Sequence, residues 1–172
     1  MTFLERATFY FLTIRYLRWE QVFYRLKYRF WAGRLTVKTS YPTVPNCWRW
    51  SGPEISEQSL FEDGSVSFLN VKANFRHGLS WNDSRFEKLW LYNLHYFDDL
   101  NAVNNVIRKS IQSEFVMRWI NENARIEGNG WEPYPLSLRI VNWIKWYNRA
   151  GINNPQIILI LHQQAQALSK QL

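Results

Sequence analysis

The chain has 172 residues, 47% of them hydrophobic, with only seven glycines and six prolines; this suits a single folded domain and excludes collagen-like, low-complexity and wholly disordered classes. One cysteine, Cys47, rules out an internal disulfide and a cysteine zinc cage, and three scattered histidines make no metal-ligand pattern. The net charge of +7 belongs to the start of the chain, where residues 1–40 hold eight Lys/Arg against Glu5 and Glu20.

From Leu12 the positions Leu12, Tyr16, Trp19, Phe23, Leu26 and Phe30 step by four and three, which predicts one stripe of an α-helix; Arg15, Arg18, Arg25 and Arg29 fall on a neighbouring stripe. A long basic-aromatic helix over residues 1–33 is expected. It could lie on an anionic membrane, face a polyanion, or pack its aromatic stripe on a domain with the arginines in water. Arg6, Arg15 and Arg18 interrupt any signal-peptide core, and no run approaches the ~18 apolar residues that span a bilayer.

Residues 34–83 lose the helical period and gain Pro42, Pro45 and Pro53, which predicts a connector with short strands. Asp63-Gly64, between Ser59-Leu60-Phe61 and Ser65–Leu69, is the expected hairpin turn, and Asn70 to Asp83 reads as loop.

Helical periodicity returns over 84–172. Ser84 and Glu87 suggest a capping box for a helix reaching about Leu100, with Phe86, Leu89, Trp90, Leu94 and Phe97 inward. A second helix is expected from Val103 to Ile120 through Ile107, Ile111, Phe115 and Trp119. A third carries Leu138, Val141, Ile144 and Trp146 and stops near Gly151; Asn154 and Pro155 open a fourth to about Lys170. Short loops between successive helices imply a mainly α fold of antiparallel helical hairpins.

Ten Trp and nine Tyr are either buried bulk or flat faces for a sugar or a base. Two segments carry more polar aromatic chemistry than a core needs. In Tyr92-Asn93-Leu94-His95-Tyr96-Phe97-Asp98-Asp99, helical spacing puts Tyr92, His95, Tyr96 and Asp99 on one side, where His95 is either acid-base machinery or a structural hydrogen-bonding group. The planar amide of Asn93 needs partners if buried. In Gly130-Trp131-Glu132-Pro133-Tyr134-Pro135, Trp131 and Tyr134 could stack on sugars, while Glu132, Arg139 and Asn142 supply directional hydrogen bonds; the alternative is a buried Glu132–Arg139 pair. A glycoside hydrolase built on Glu132 with Asp98 or Asp99 is a weaker reading, because those positions lie on separate elements.

Asn93–Asp98, preceded by Leu89-Trp90 and followed by Gly130–Lys145, resembles the N-terminal region of the heparinase II/III-like polysaccharide lyases. Arg15-Tyr16-Leu17, Tyr24–Arg29 and Phe68-Leu69-Asn70 fit the same group, so the resemblance covers almost the whole chain. It implies the start of an (α/α) toroid that binds a uronate-containing polysaccharide for β-elimination: a side chain neutralises the carboxylate, a Tyr or His removes the C5 proton, and the 4-linked sugar leaves. Under it Asn93, His95, Tyr96, Trp131, Glu132, Tyr134, Arg139 and Asn142 are candidate substrate-binding residues, with no metal or cofactor required.

Family members continue into a helix with a Gly-Asn-His triplet, which supplies catalytic Asn and His groups; this sequence holds no such triplet. The expectation is therefore a part of such a lyase, with catalytic groups beyond Leu172, no activity of its own, and the C-terminal part of the same enzyme as partner. The family suggests the periplasm and the sequence itself the cytoplasm. The rival is a non-enzymatic module that touches an anionic membrane or polyanion through residues 3–31, without specific nucleic-acid recognition. A last helix lacking its neighbour is expected to expose Ile157, Ile158, Leu161 or Leu168.

Overall fold

The computed structural model describes residues 18–20, 23, 37, 49–54 and 56–172. The chain divides into two units, Met1–Leu35 and Thr36–Leu172. In the first, Trp19, Glu20 and Phe23 are helical and exposed; the rest of the basic-aromatic helix expected over 1–33 lies outside the described residues. Among the described residues no helix is long and apolar enough to cross a membrane.

The second unit is mainly helical with a small two-stranded antiparallel sheet. Strands β1 (Ser65–Phe68) and β2 (Val71–Asn74) pair with Phe68 opposite Val71, leaving Leu69-Asn70 as a two-residue turn with φ of 52° and 62°. Those positive angles are what a tight hairpin needs to match the twist of its strands. The expected reversal at Asp63-Gly64 also forms, with Gly64 at φ 82°, Asp63 accepting from the Ser65 amide at 2.8 Å, and a bridge between Leu60 and Val66. The regular ladder, however, pairs the expected strand β1 not with Ser59–Phe61 but with β2, which lies in the stretch that reads as loop.

Helix α1 (Lys88–Tyr96) has no side-chain cap; the Ser84–Glu87 box does not form, and Asp83 instead caps the preceding turn through the Arg85 amide. Trp90, Leu94 and Phe97 are buried as expected, whereas Leu89 is exposed. The helix stops at Phe97, whose φ is 59°, and passes into a 3-10 turn at Asp98–Asn101. Helix α2 (Lys109–Glu122) starts six residues later than its periodicity suggests, and Val103 and Ile107 are exposed. Turns replace helix there because Arg108 reaches inward to the Val103 and Leu60 carbonyls. Ile111, Phe115 and Trp119 are buried as expected.

In helix α3 (Pro133–Ala150) Trp146 is buried as expected, but Val141 and Ile144 are exposed, and the rest of the inner face is Leu136, Arg139 and Trp143. The Trp143 indole buries more area than either aliphatic side chain it displaces. Gly151 ends α3 at φ 59°, and Asn154 opens α4 (Pro155–Ser169) by accepting from the Gln156 amide at 2.9 Å. Helices α3 and α4 run antiparallel, since Arg139 bonds Gln164 and the Gln171 side chain bonds the Trp131 carbonyl. Ile157 and Leu161, expected to be uncovered, are buried, while Ile158 and Leu168 are half-buried; with Gln164 and Ala167 the buried pair forms the face of α4 turned inward.

One core joins the sheet to the helices. Leu60, Val66, Phe75, Leu79 and Trp81 from the presumed connector are buried in the same cluster as Trp119, Trp143 and Ile157. At its centre the Phe97 ring lies 4.8 Å from Phe115 and 5.3 Å from Trp143, centroid to centroid. Edge-on and tilted contacts of this kind suit the ring quadrupoles.

Candidate functional site

The outer side of α1 and the first turn of α3 bring three tyrosines together. Tyr134 is 60% exposed, with its ring centroid 5.7 Å from Tyr96 and 6.3 Å from Tyr92. Pro133 and Pro135 pre-set the backbone of that first turn, which fixes where Tyr134 stands. Glu132 accepts from the Tyr92 hydroxyl and pairs with Lys88 Nζ at 2.9 Å. Lys88 also lies 5.2 Å from the Tyr92 ring centroid. Burial, the Tyr134 neighbour and the Asp98 charge push the Tyr96 phenol up to about 12, and burial with the Glu132 contact raises Tyr92. Both phenols therefore carry their protons at neutral pH.

Asn142 sits beside this cluster. Its amide donates to the Tyr96 carbonyl at 2.9 Å and to Asp98 at 2.6 Å, and its oxygen accepts from Asn101 at 3.2 Å. Asn93 is half-buried, and its side-chain nitrogen donates back to the Leu89 carbonyl in its own helix. Of the eight candidate residues, Tyr96, Glu132, Tyr134 and Asn142 are thus grouped on one side, with Tyr96 itself buried. Tyr92 and Lys88 join them.

His95, Trp131 and Arg139 are separated from that surface. His95 is wholly buried; its Nδ1 accepts from Trp119 Nε1 at 3.0 Å, so its Nε2 donates to the Trp81 carbonyl at 2.9 Å. Burial and the nearby Arg139 charge hold its pKa down at about 3, and the neutral imidazole is a structural strut. The helical side expected to unite Tyr92, His95, Tyr96 and Asp99 is split: α1 ends before Asp99, which turns inward to Arg108. Trp131 is buried with its ring 5.6 Å from Trp119. Gly130 is needed there, because a Cβ would stand 2.5 Å from His95 Nδ1. The Glu132–Arg139 pair does not form; Arg139 faces the core and bonds Gln164 at 3.0 Å.

A second polar feature escaped the sequence reading. Asn82, Asn121, Glu122, Asn123, Arg125 and Glu127 line a half-open cleft of about 280 Å³ at the end of α2. Its only sequence signal is the amide density on both sides of Glu122. Among the described residues no cluster of His, Cys, Asp and Glu is arranged to hold a metal ion. Comparison with protein-family models, curated proteins and solved structures finds no match.

Proposed function

We propose that this chain is the carbohydrate-binding helical part of a heparinase II/III-like lyase, the beginning of an (α/α) toroid, and that it binds a uronate-containing polysaccharide without cleaving it. The observation that carries the reading is Tyr134: a large aromatic, 60% exposed, held on a proline-fixed turn beside Tyr92, Tyr96 and Lys88. An exposed ring offers a flat apolar face to a sugar, the Tyr134 phenol reaches its hydroxyls, and the exposed Lys88 supplies the positive charge that a uronate carboxylate seeks. Both motifs that resemble the lyases contribute to this cluster, Tyr96 from the first and Glu132, Tyr134 and Asn142 from the second, while their His95, Trp131 and Arg139 are buried in the core. The sequence holds no Gly-Asn-His triplet, so binding rather than elimination is the expected activity.

Titrating the 172-residue chain with heparan sulfate and alginate fragments, against neutral dextran, should give binding only to the acidic chains. Tyr134→Ala should weaken it about tenfold while leaving the unfolding midpoint unchanged. Absorbance of the unsaturated uronate product should stay at the buffer level. Equal binding to dextran, or a Tyr134→Ala variant of undiminished affinity, would refute the reading; turnover would refute its non-catalytic part. A second reading, a module docking on an anionic membrane or polyanion, draws on the exposure of Trp19 and Phe23. Vesicle co-sedimentation abolished by Trp19→Ala, with no polysaccharide binding, would favour it.

A further inference from the structure

Arg139 is 0% exposed, in the middle of α3's inner face. Its Nε donates to Gln164 Oε1 at 3.0 Å, and its guanidinium carbon lies 4.0 Å from the Trp119 ring centroid and 5.8 Å from that of Trp131. Among the described residues Nη1 and Nη2 have no hydrogen-bond partner, and neither do Gln164 Nε2 and Trp131 Nε1. Every one of these orphaned atoms is a donor. The carboxylate nearest in sequence, Glu132, is engaged by Lys88 and Tyr92.

The contact with Trp119 does not satisfy these donors, because a cation–π contact uses the face of the guanidinium while its N–H bonds lie in the plane. Loss of the proton is no escape either, since arginine stays charged in proteins. A buried cation with an unanswered donor fork calls for an anion, and two parallel N–H groups match the two oxygens of a planar carboxylate. We propose that Arg139, with Gln164, is a receptor for one carboxylate group, which Nη1 and Nη2 grip together. Enclosure by Trp119, Trp131 and Gln164 restricts the ligand to a small acid or to the carboxylate end of a compact one such as a sugar acid. This site is distinct from the exposed tyrosines and does not depend on the polysaccharide reading.

The test is thermal unfolding of the full 172-residue chain in sodium formate and in sodium chloride at matched ionic strength and neutral pH. Formate should raise the midpoint progressively, by roughly 5–10 °C at a hundredfold excess over its dissociation constant, and chloride should not. Arg139→Lys keeps the charge without the fork and should lose most of that response. Gln164→Glu places a carboxylate beside the guanidinium within the chain; its midpoint in chloride should rise and its response to formate should vanish. Adding glucuronate separates the sources: a response equal to that of formate identifies a sugar acid, and its absence a free small carboxylate. Identical midpoints in formate and chloride would overturn the proposal, as would a Gln164→Glu protein that still responds fully to formate.

Discussion

Among the described residues two arginines are buried, and their surroundings differ in what answers the charge. Arg108 donates to Asp99 Oδ2 at 2.5 Å and to the Leu60 and Val103 carbonyls; Asp99 in turn accepts from the Ser59 and Leu60 amides and from Gln112, whose oxygen takes the Trp146 indole N–H. That network ties the strand region to α2 and α3 through groups whose polar capacity is largely met. Arg139 has aromatic faces and one amide oxygen, and no countercharge among the described residues. The difference teaches that burial alone does not define the role of a charged side chain. An answered charge holds elements together, whereas an unanswered one marks a place where something else binds.

The comparison can be broken most severely at its answered side. Asp99→Ala strips Arg108 of its partner and leaves two backbone amides without an acceptor, so denaturant unfolding should show a loss of about 3–5 kcal/mol. Next comes His95, which shares Trp119 with Arg139. Its folded pKa of about 3 lies below the ordinary 6.5, so the unfolded chain takes up the proton first as pH falls. Stability is full above 6.5 and falls toward pH 3, by about 1.4 kcal/mol per pH unit, and His95→Gln should lose that part of the slope. Arg139→Met should reduce the same fall by removing the neighbouring charge. Gly130→Ala, which drives a methyl into the His95 ring, should cost about 1–3 kcal/mol in chemical denaturation without disturbing the Asp99 network. The smallest effect sharpens the contrast: in chloride, Arg139→Met should change stability by less than about 1 kcal/mol, although it removes a side chain as deeply buried as Arg108.

What the sequence disclosed depended on how local the governing chemistry was. Gly151 and Asn154 marked the end of α3 and the start of α4 because a left-handed residue and a side-chain cap act within a few positions. The phase of α3 was not legible, since an arginine on the inner face runs against the hydrophobic pattern and only the stacked indoles of Trp119 and Trp131 accommodate it. The late start of α2 was hidden for the same reason: Arg108 turns inward to partners 9 and 48 residues away in sequence. At the candidate site, the motif containing Tyr134 was readable as a dense run of Pro, Trp and Tyr. The division between exposed Tyr134 and buried His95, Trp131 and Arg139 was set by tertiary packing that no spacing encodes.

Phe97 adds a consequence for the order of assembly. A non-glycine residue at φ 59° is disfavoured by roughly 1–2 kcal/mol in an isolated chain, so nothing local reverses the backbone at the end of α1. The compensation arrives only when Trp81, Phe115 and Trp143, drawn from a loop and two other helices, close around the ring. The reversal that turns Asp99 toward Arg108 is therefore expected to form late. Until the aromatic centre has condensed, α1 is free to run on toward Leu100, as its sequence pattern invites, and the Asp99–Arg108 network waits on that one residue.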